Sequence, residues 1–195
     1  MIFITVPENG IDMEDIDDLV EDRSGETFSD CDCKGETKKT KRVLFIGNSF
    51  TFYNDMPDMI RQLAECACHK LILDTQVTGG RSLQEHFEDG TVKYKIRDGK
   101  SGKPWDLVVL NEKTIIPAYS NKTICSKMYP AAKELTEYIR EYNPGVKIQW
   151  YMTWGYKHGH PEKCENNKNP YPFCSYEDMQ ERIKETYMLV CRFFD

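Results

Sequence analysis

The run Val43-Leu44-Phe45-Ile46 offers no polar residue to a solvent face, and it stops at once on Gly47-Asn48-Ser49. A strand that is apolar on both sides has to be covered on both sides, which points to a parallel sheet lying between helices. Ligands gather just past the carboxyl ends of such strands, so Ser49 stands where a crevice is expected. Three further runs have strand character: LILDTQVT (71–78), which alternates and ends on Gly79-Gly80, DLVVL (106–110), and VKIQWYMTW (146–154).

Helical spacing fills the intervals. Met56, Met59, Ile60, Leu63, Ala64 and Ala67 share one face of a helix over 56–69, with Pro57 acceptable in its first turn. A second helix starts at Ser82 and reaches Phe87, a third runs from Tyr129 to Tyr142 and stops at Asn143-Pro144-Gly145, and a fourth spans Tyr176 to Phe194. Residues 90–105 are polar and glycine-containing and read as a surface connection, and 155–174 as a long loop. Strands alternating with helices predict an α/β domain with a mostly parallel sheet, right-handed crossovers and loops gathered at one edge.

A chain of 195 residues has room for one domain with a substantial core. Its charge is uneven: residues 1–36 carry twelve acids against two bases, and residues 37–195 twenty acids against twenty-four bases. High charge with few large apolar residues cannot offset the entropy of ordering. Residues 1–41 are therefore expected to be an acidic, mostly disordered leader, and 42–195 the folded domain. Within the leader IDMEDIDDLV (11–20) has the pattern of a short amphipathic helix for a partner, although a solvated charge run is the simpler reading.

No stretch approaches the roughly 20 apolar residues that span a bilayer, and the first residues lack the basic and hydrophobic regions of a signal peptide. Eight cysteines nevertheless favour an oxidising, extracellular setting, with which the sequon Asn121-Lys122-Thr123 is compatible without adding weight. A gene model started internally would reconcile the two. Cys31-Asp32-Cys33 and Cys66-Ala67-Cys68 have one intervening residue each, too few for a usual structural zinc site, so no metal is expected. Cys164 and Cys174 bracket the long loop and are candidates for a disulfide across it. The lysines are scattered, which leaves no footprint for nucleic acid. Nothing in the pattern sets the oligomeric state.

Three strands deliver a small or polar residue at the carboxyl end: Ser49, Gly80 and Asn111. An isolated Gly-Asn-Ser is read most simply as a helix cap. Together with Gly80 and Asn111 it also suits acyl transfer. Ser49 would attack the acyl carbon, while the N–H groups of Ser49 and Gly80 and the Asn111 amide would donate to the oxyanion.

With these residues in view the chain resembles the SGNH hydrolases, the GDSL-type lipases and esterases, over roughly residues 42–194. Gly47-Asn48-Ser49 is similar to the first family block, with Asn48 where better-known members have aspartate, and Gly79-Gly80-Arg81-Ser82-Leu83 is similar to the second. Val109-Leu110-Asn111-Glu112 keeps only the asparagine of the third block, Gly-x-Asn-Asp.

The resemblance implies a three-layer α/β/α sandwich with a flavodoxin-like sheet. It further implies a serine nucleophile at Ser49, oxyanion donors at Gly80 and Asn111, no cofactor, and an ester substrate. The Gly-Arg-Ser form points to O-acetylated carbohydrate, and a non-catalytic relative that binds a glycan or acylated ligand is the other reading.

The family's closing Asp-x-x-His pair has no counterpart. The residues three before His69, His86, His158 and His160 are Cys66, Leu83, Gly155 and Lys157. Three readings follow: the chain stops ahead of the base-bearing segment and a last strand, His158 or His160 substitutes, or the chain is inactive. The first is favoured. His86, on a helix, reads as a surface or packing residue rather than a base. Trp150 and Trp154 are expected to face one helix layer and Tyr151 the other, with Trp154 and Tyr156 nearest the cleft rim.

Overall fold

A computed structural model describes residues 3–4, 39–160 and 174–194. Its sheet has the order β1-β5-β4-β2-β3. The strands are β1 (Phe3–Ile4), β2 (Lys39–Gly47), β3 (His69–Val77), β4 (Leu107–Leu110) and β5 (Lys147–Tyr151). β2 to β5 are parallel, and β1 runs antiparallel along β5 with Phe3 opposite Tyr151. The sheet thus gains an edge strand from the acidic leader, and β2 begins ahead of residue 42. Residues 5–38 lie outside the described residues.

The apolar run of β2 is divided between two layers as its lack of alternation requires. Leu44 and Ile46 join Val108, Leu110, Ile148 and Trp150 on one face. There they meet Leu83 of α3 (Leu83–Asp89), Val92 and Ile96 of α4 (Thr91–Asp98), Leu135 and Ile139 of α6 (Tyr129–Tyr142), and Ile183 and Tyr187 of α7 (Tyr176–Phe194). Val43, Phe45, Val109 and Tyr151 form the opposite face against Met56 and Ile60 of α2 (Met56–Cys66). Trp150 is fully buried, whereas Trp154 is half exposed past the strand end. The molecule is an α/β/α sandwich.

α6 and α7 occupy the residues that the apolar spacing predicts. α3 starts at Leu83 because Ser82 caps it, its hydroxyl accepting the Glu85 N–H while the Glu85 carboxylate accepts the Ser82 N–H.

The reading of 90–105 as a surface connection is corrected by α4. Val92 and Ile96, one turn apart, are both fully buried, and the Trp105 indole N–H closes the segment by donating to the Lys95 carbonyl at 2.8 Å. Burial of two residues at i and i+4 outweighs the polar composition of the other face. A short helical turn, α5 (Asn121–Thr123), continues into a π-helical stretch, Ile124–Met128, ahead of α6.

Candidate active site

β2 ends on Gly47 for a steric reason. A Cβ there would lie 1.7 Å from Asn111 Oδ1 and 2.7 Å from Thr51 Oγ1, so only glycine lets the strand end abut the Asn111 side chain. The backbone then turns through Asn48, whose side chain accepts the Phe50 N–H at 3.2 Å and caps α1 (Ser49–Phe52). The capping function suggested for Ser49 therefore belongs to Asn48. Ser49 is left as the first residue of α1, half-buried, and among the described residues neither its hydroxyl nor its N–H has a hydrogen-bond partner.

Asn48 is also where the three segments meet. Its Nδ2 donates to the Arg81 carbonyl at 3.2 Å, which ties the Gly79-Gly80 turn to the end of β2. Its N–H donates to Asn111 Oδ1 at 3.3 Å, and its Oδ1 accepts from Asn111 Nδ2 at 3.1 Å. Gly80 has φ +68°, is exposed, and has open space around the Cβ position, so its backbone faces solvent beside α1.

Asn111 is differently engaged from the donor expected by sequence. It is buried, its second amide hydrogen goes to the Glu112 carbonyl at 3.2 Å, and its Oδ1 also accepts the Thr51 hydroxyl. Both amide hydrogens are committed inside the protein, and Asn111 holds Asn48 in place.

Behind this junction lie two ionisable groups that motif reading overlooked or undervalued. Glu112 is buried, and its Oε1 accepts the N–H groups of Leu83 at 3.2 Å and Lys113 at 2.6 Å. Its own N–H donates to the Tyr187 hydroxyl at 3.0 Å. Burial pushes its carboxyl up to about 7, against the two N–H bonds that favour the charged form. A polar residue directly after a buried strand was the available signal.

His86 is buried, and its Nε2 lies 2.7 Å from the Gly47 carbonyl. A carbonyl only accepts, so Nε2 carries the hydrogen. Burial holds the ring's pKa below its ordinary value, and Nδ1 has no partner among the described residues. His86 props the end of β2, so of the surface and packing readings its burial leaves packing.

Ser49 opens onto a cavity of about 520 Å3 lined by Phe50, Tyr53, Asn54, Met56, Met59, Tyr151 and Trp154. One wall is fixed: the Tyr151 hydroxyl donates to the Phe50 carbonyl at 3.3 Å, and the Phe50 and Trp154 rings meet edge to face at 4.5 Å. The loop after β5 is pinned to α7 through the Gly155 N–H to Gln180 Oε1 bond at 2.9 Å. His158 is exposed on this loop, and His160 lies beside Tyr156, ring centroids 6.1 Å apart.

Among the described residues no imidazole or carboxylate hydrogen-bonds Ser49, and no cluster of three His, Cys, Asp or Glu side chains could hold a metal ion. No helix among them is long and apolar enough to cross a membrane. The candidate bridge between Cys164 and Cys174 involves Cys164, which lies outside the described residues.

No protein-family model and no curated protein matches the chain. Solved structures do. A protein from Slackia heliotrinireducens, described as belonging to the SGNH hydrolases, superposes with a TM-score of 0.59 at 26% identity, over 80% of this chain and 76% of that one. A DUF4886 family protein from Bacteroides uniformis gives 0.58 at 20% identity, over 80% of this chain and 64% of its own length. With the sheet order, the Gly47-Asn48-Ser49 turn and the Asn48–Asn111 junction, these likenesses identify the architecture: the chain has the SGNH hydrolase fold.

Proposed function

We propose that the chain is a serine acyl hydrolase acting on an ester, with Ser49 as nucleophile. The observation that carries this reading is the half-buried Ser49, unpartnered among the described residues and set at the carboxyl end of a parallel strand on the mouth of an apolar cavity. The description of the Slackia protein as a hydrolase supports the same class.

In this reading Ser49 Oγ forms a bond to the carbonyl carbon as its proton passes to a general base, and the carbonyl electron pair moves onto oxygen. The N–H groups of Ser49 and Gly80 donate to that oxyanion. Asn111 joins them only by giving up its bond to the Glu112 carbonyl. Collapse expels the alcohol, which takes up the proton, and water then cleaves the acyl-serine by the same path. No cofactor enters this sequence. His158 and His160 are the candidate bases on the loop at the same edge, and neither touches Ser49 in the conformation described. The Gly79-Gly80-Arg81-Ser82 segment, similar to that of carbohydrate acetylesterases, suggests O-acetylated carbohydrate, while the volume of the cavity beside Ser49 favours an acyl group larger than acetyl.

A second reading, a non-catalytic domain that binds a glycan or acylated ligand, draws on the missing base contact and the committed Asn111 amide. Turnover of p-nitrophenyl acetate separates the two. The hydrolase reading expects release of nitrophenol by wild type and its loss in Ser49→Ala; equal rates in both proteins, or none in either, would favour the binding domain.

A further inference from the structure

We infer that the cavity beside Ser49 accepts a neutral apolar group larger than acetyl, a medium-length acyl chain or an aromatic ring. The inference rests on the hydrolase reading for the orientation of the ester bond toward Ser49; the cavity's preference for apolar groups is independent of it.

Size comes first. About 520 Å3 falls within the roughly 300–1,000 Å3 of ligand pockets, and an acetyl group would leave most of it to water. The lining comes second. Phe50, Tyr53, Met56, Met59, Tyr151 and Trp154 form the walls, and among the described residues no lining side chain carries a charge. A carboxylate or ammonium group entering would lose hydration and find no charged partner among these described residues.

Mobility of the lining is also suited to the task. Tyr151 and Trp154 hold Phe50 from two sides. Met59 is unbranched and half exposed, so it is free to change rotamer around different chains. Tyr53, Met59 and Trp154 are 71%, 50% and 50% exposed, a concentration of large apolar surface around one serine that an apolar substrate would cover.

The test is kcat/KM for p-nitrophenyl acetate, butyrate, hexanoate and hemisuccinate. The ratio to acetate is expected to climb by up to about fourfold per methylene, as full burial of each CH2 allows. The hemisuccinate should fall about tenfold or more below butyrate, since its charge is desolvated unpaired. Met59→Ala and Trp154→Ala should each compress the hexanoate-to-acetate ratio, while Tyr94→Ala, on the exposed face of α4, should keep it.

Ser49-dependent turnover with a flat or falling series would overturn the inference and leave the hydrolase reading standing. That is also the result expected if another protein surface covers this wall. If no ester shows Ser49-dependent turnover, the hydrolase reading fails and calorimetric titration with hexanamide and acetamide decides the inference. Binding about tenfold tighter for hexanamide, within the gain available from buried methylenes, would uphold it, and equal binding would overturn it.

Discussion

Asn111 and Asn48 bind each other in both directions: Asn111 Oδ1 accepts the Asn48 N–H at 3.3 Å, and Asn111 Nδ2 donates to Asn48 Oδ1 at 3.1 Å. Both residues are buried. Neither amide can flip without setting two acceptors or two donors face to face, so the pair fixes the direction in which the chain leaves β2. Ser49 follows directly, and its position is inherited from this exchange.

Removal of the Asn111 side chain should therefore act on the fold before it acts on chemistry. Asn111→Ala leaves the buried Asn48 N–H and Thr51 hydroxyl without their shared acceptor, at about 1–3 kcal/mol for each stranded group. A loss of about 2–6 kcal/mol is expected in urea unfolding. Asn111→Asp should be no milder, because its second oxygen would face Asn48 Oδ1 and the Glu112 carbonyl. A stability unchanged by Asn111→Ala would show that the exchange does not hold the turn.

Gly47→Ala tests the same junction from the other side. The new methyl would sit 1.7 Å from Asn111 Oδ1, a distance no rotamer change of alanine can relieve. Displacing Asn111 breaks the exchange, so the cost should match or exceed that of Asn111→Ala, on the order of 3 kcal/mol. The double variant should be less destabilised than the sum, since alanine at 111 removes the atom that clashes. Strict additivity in unfolding experiments would contradict this account.

Ser49→Ala should separate the site from the fold. The hydroxyl caps nothing and has no partner among the described residues, so its loss should change stability by no more than about 0.5 kcal/mol. Asn48→Ala, in contrast, removes a helix cap worth about 1 kcal/mol together with the tie to Arg81. Thermal unfolding of the two variants side by side is the measurement. A Ser49→Ala protein as unstable as Asn48→Ala would mean that the serine is structural.

The parts of the fold that were legible in the sequence are those where burial imposes a period. α6 and α7 were, because Leu135 and Ile139, and Ile183, Tyr187 and Val190, recur at helical spacing under one layer. α4 was obscured because the same signal is carried by Val92 and Ile96 amid lysines and glycines.

At the site, the convergence of the segments holding Ser49, Gly80 and Asn111 was readable from strand ends. The orientation of the Asn111 amide was not, since it depends on Asn48, Thr51 and Glu112 competing for its hydrogen bonds across large sequence separations. Glu112 is the residue where a motif comparison sees only a departure, while the structure has a buried carboxyl joining β4 to α3.

That carboxyl gives the domain a definite pH response. Glu112 has its pKa raised from 4.5 to about 7 by burial, so between these values the folded state holds a proton that the unfolded chain has released. Its contribution to stability is complete below pH 4.5 and is lost as pH rises through about 7. At roughly 1.4 kcal/mol per pH unit the loss is on the order of 3 kcal/mol.

His86 works in the opposite sense. Burial lowers its pKa below 6.5, so its contribution is present above pH 6.5 and is lost as pH falls through the lowered value. Glu112→Gln keeps an acceptor for the Leu83 and Lys113 N–H groups and removes the titration. Urea unfolding from pH 5 to 8.5 should show wild type losing stability relative to Glu112→Gln as pH rises, with the difference levelling off above pH 8. Parallel pH profiles for the two proteins would mean that Glu112 is ionised in the fold throughout, its charge stabilised by the two N–H donors that hold α3 against the end of β4.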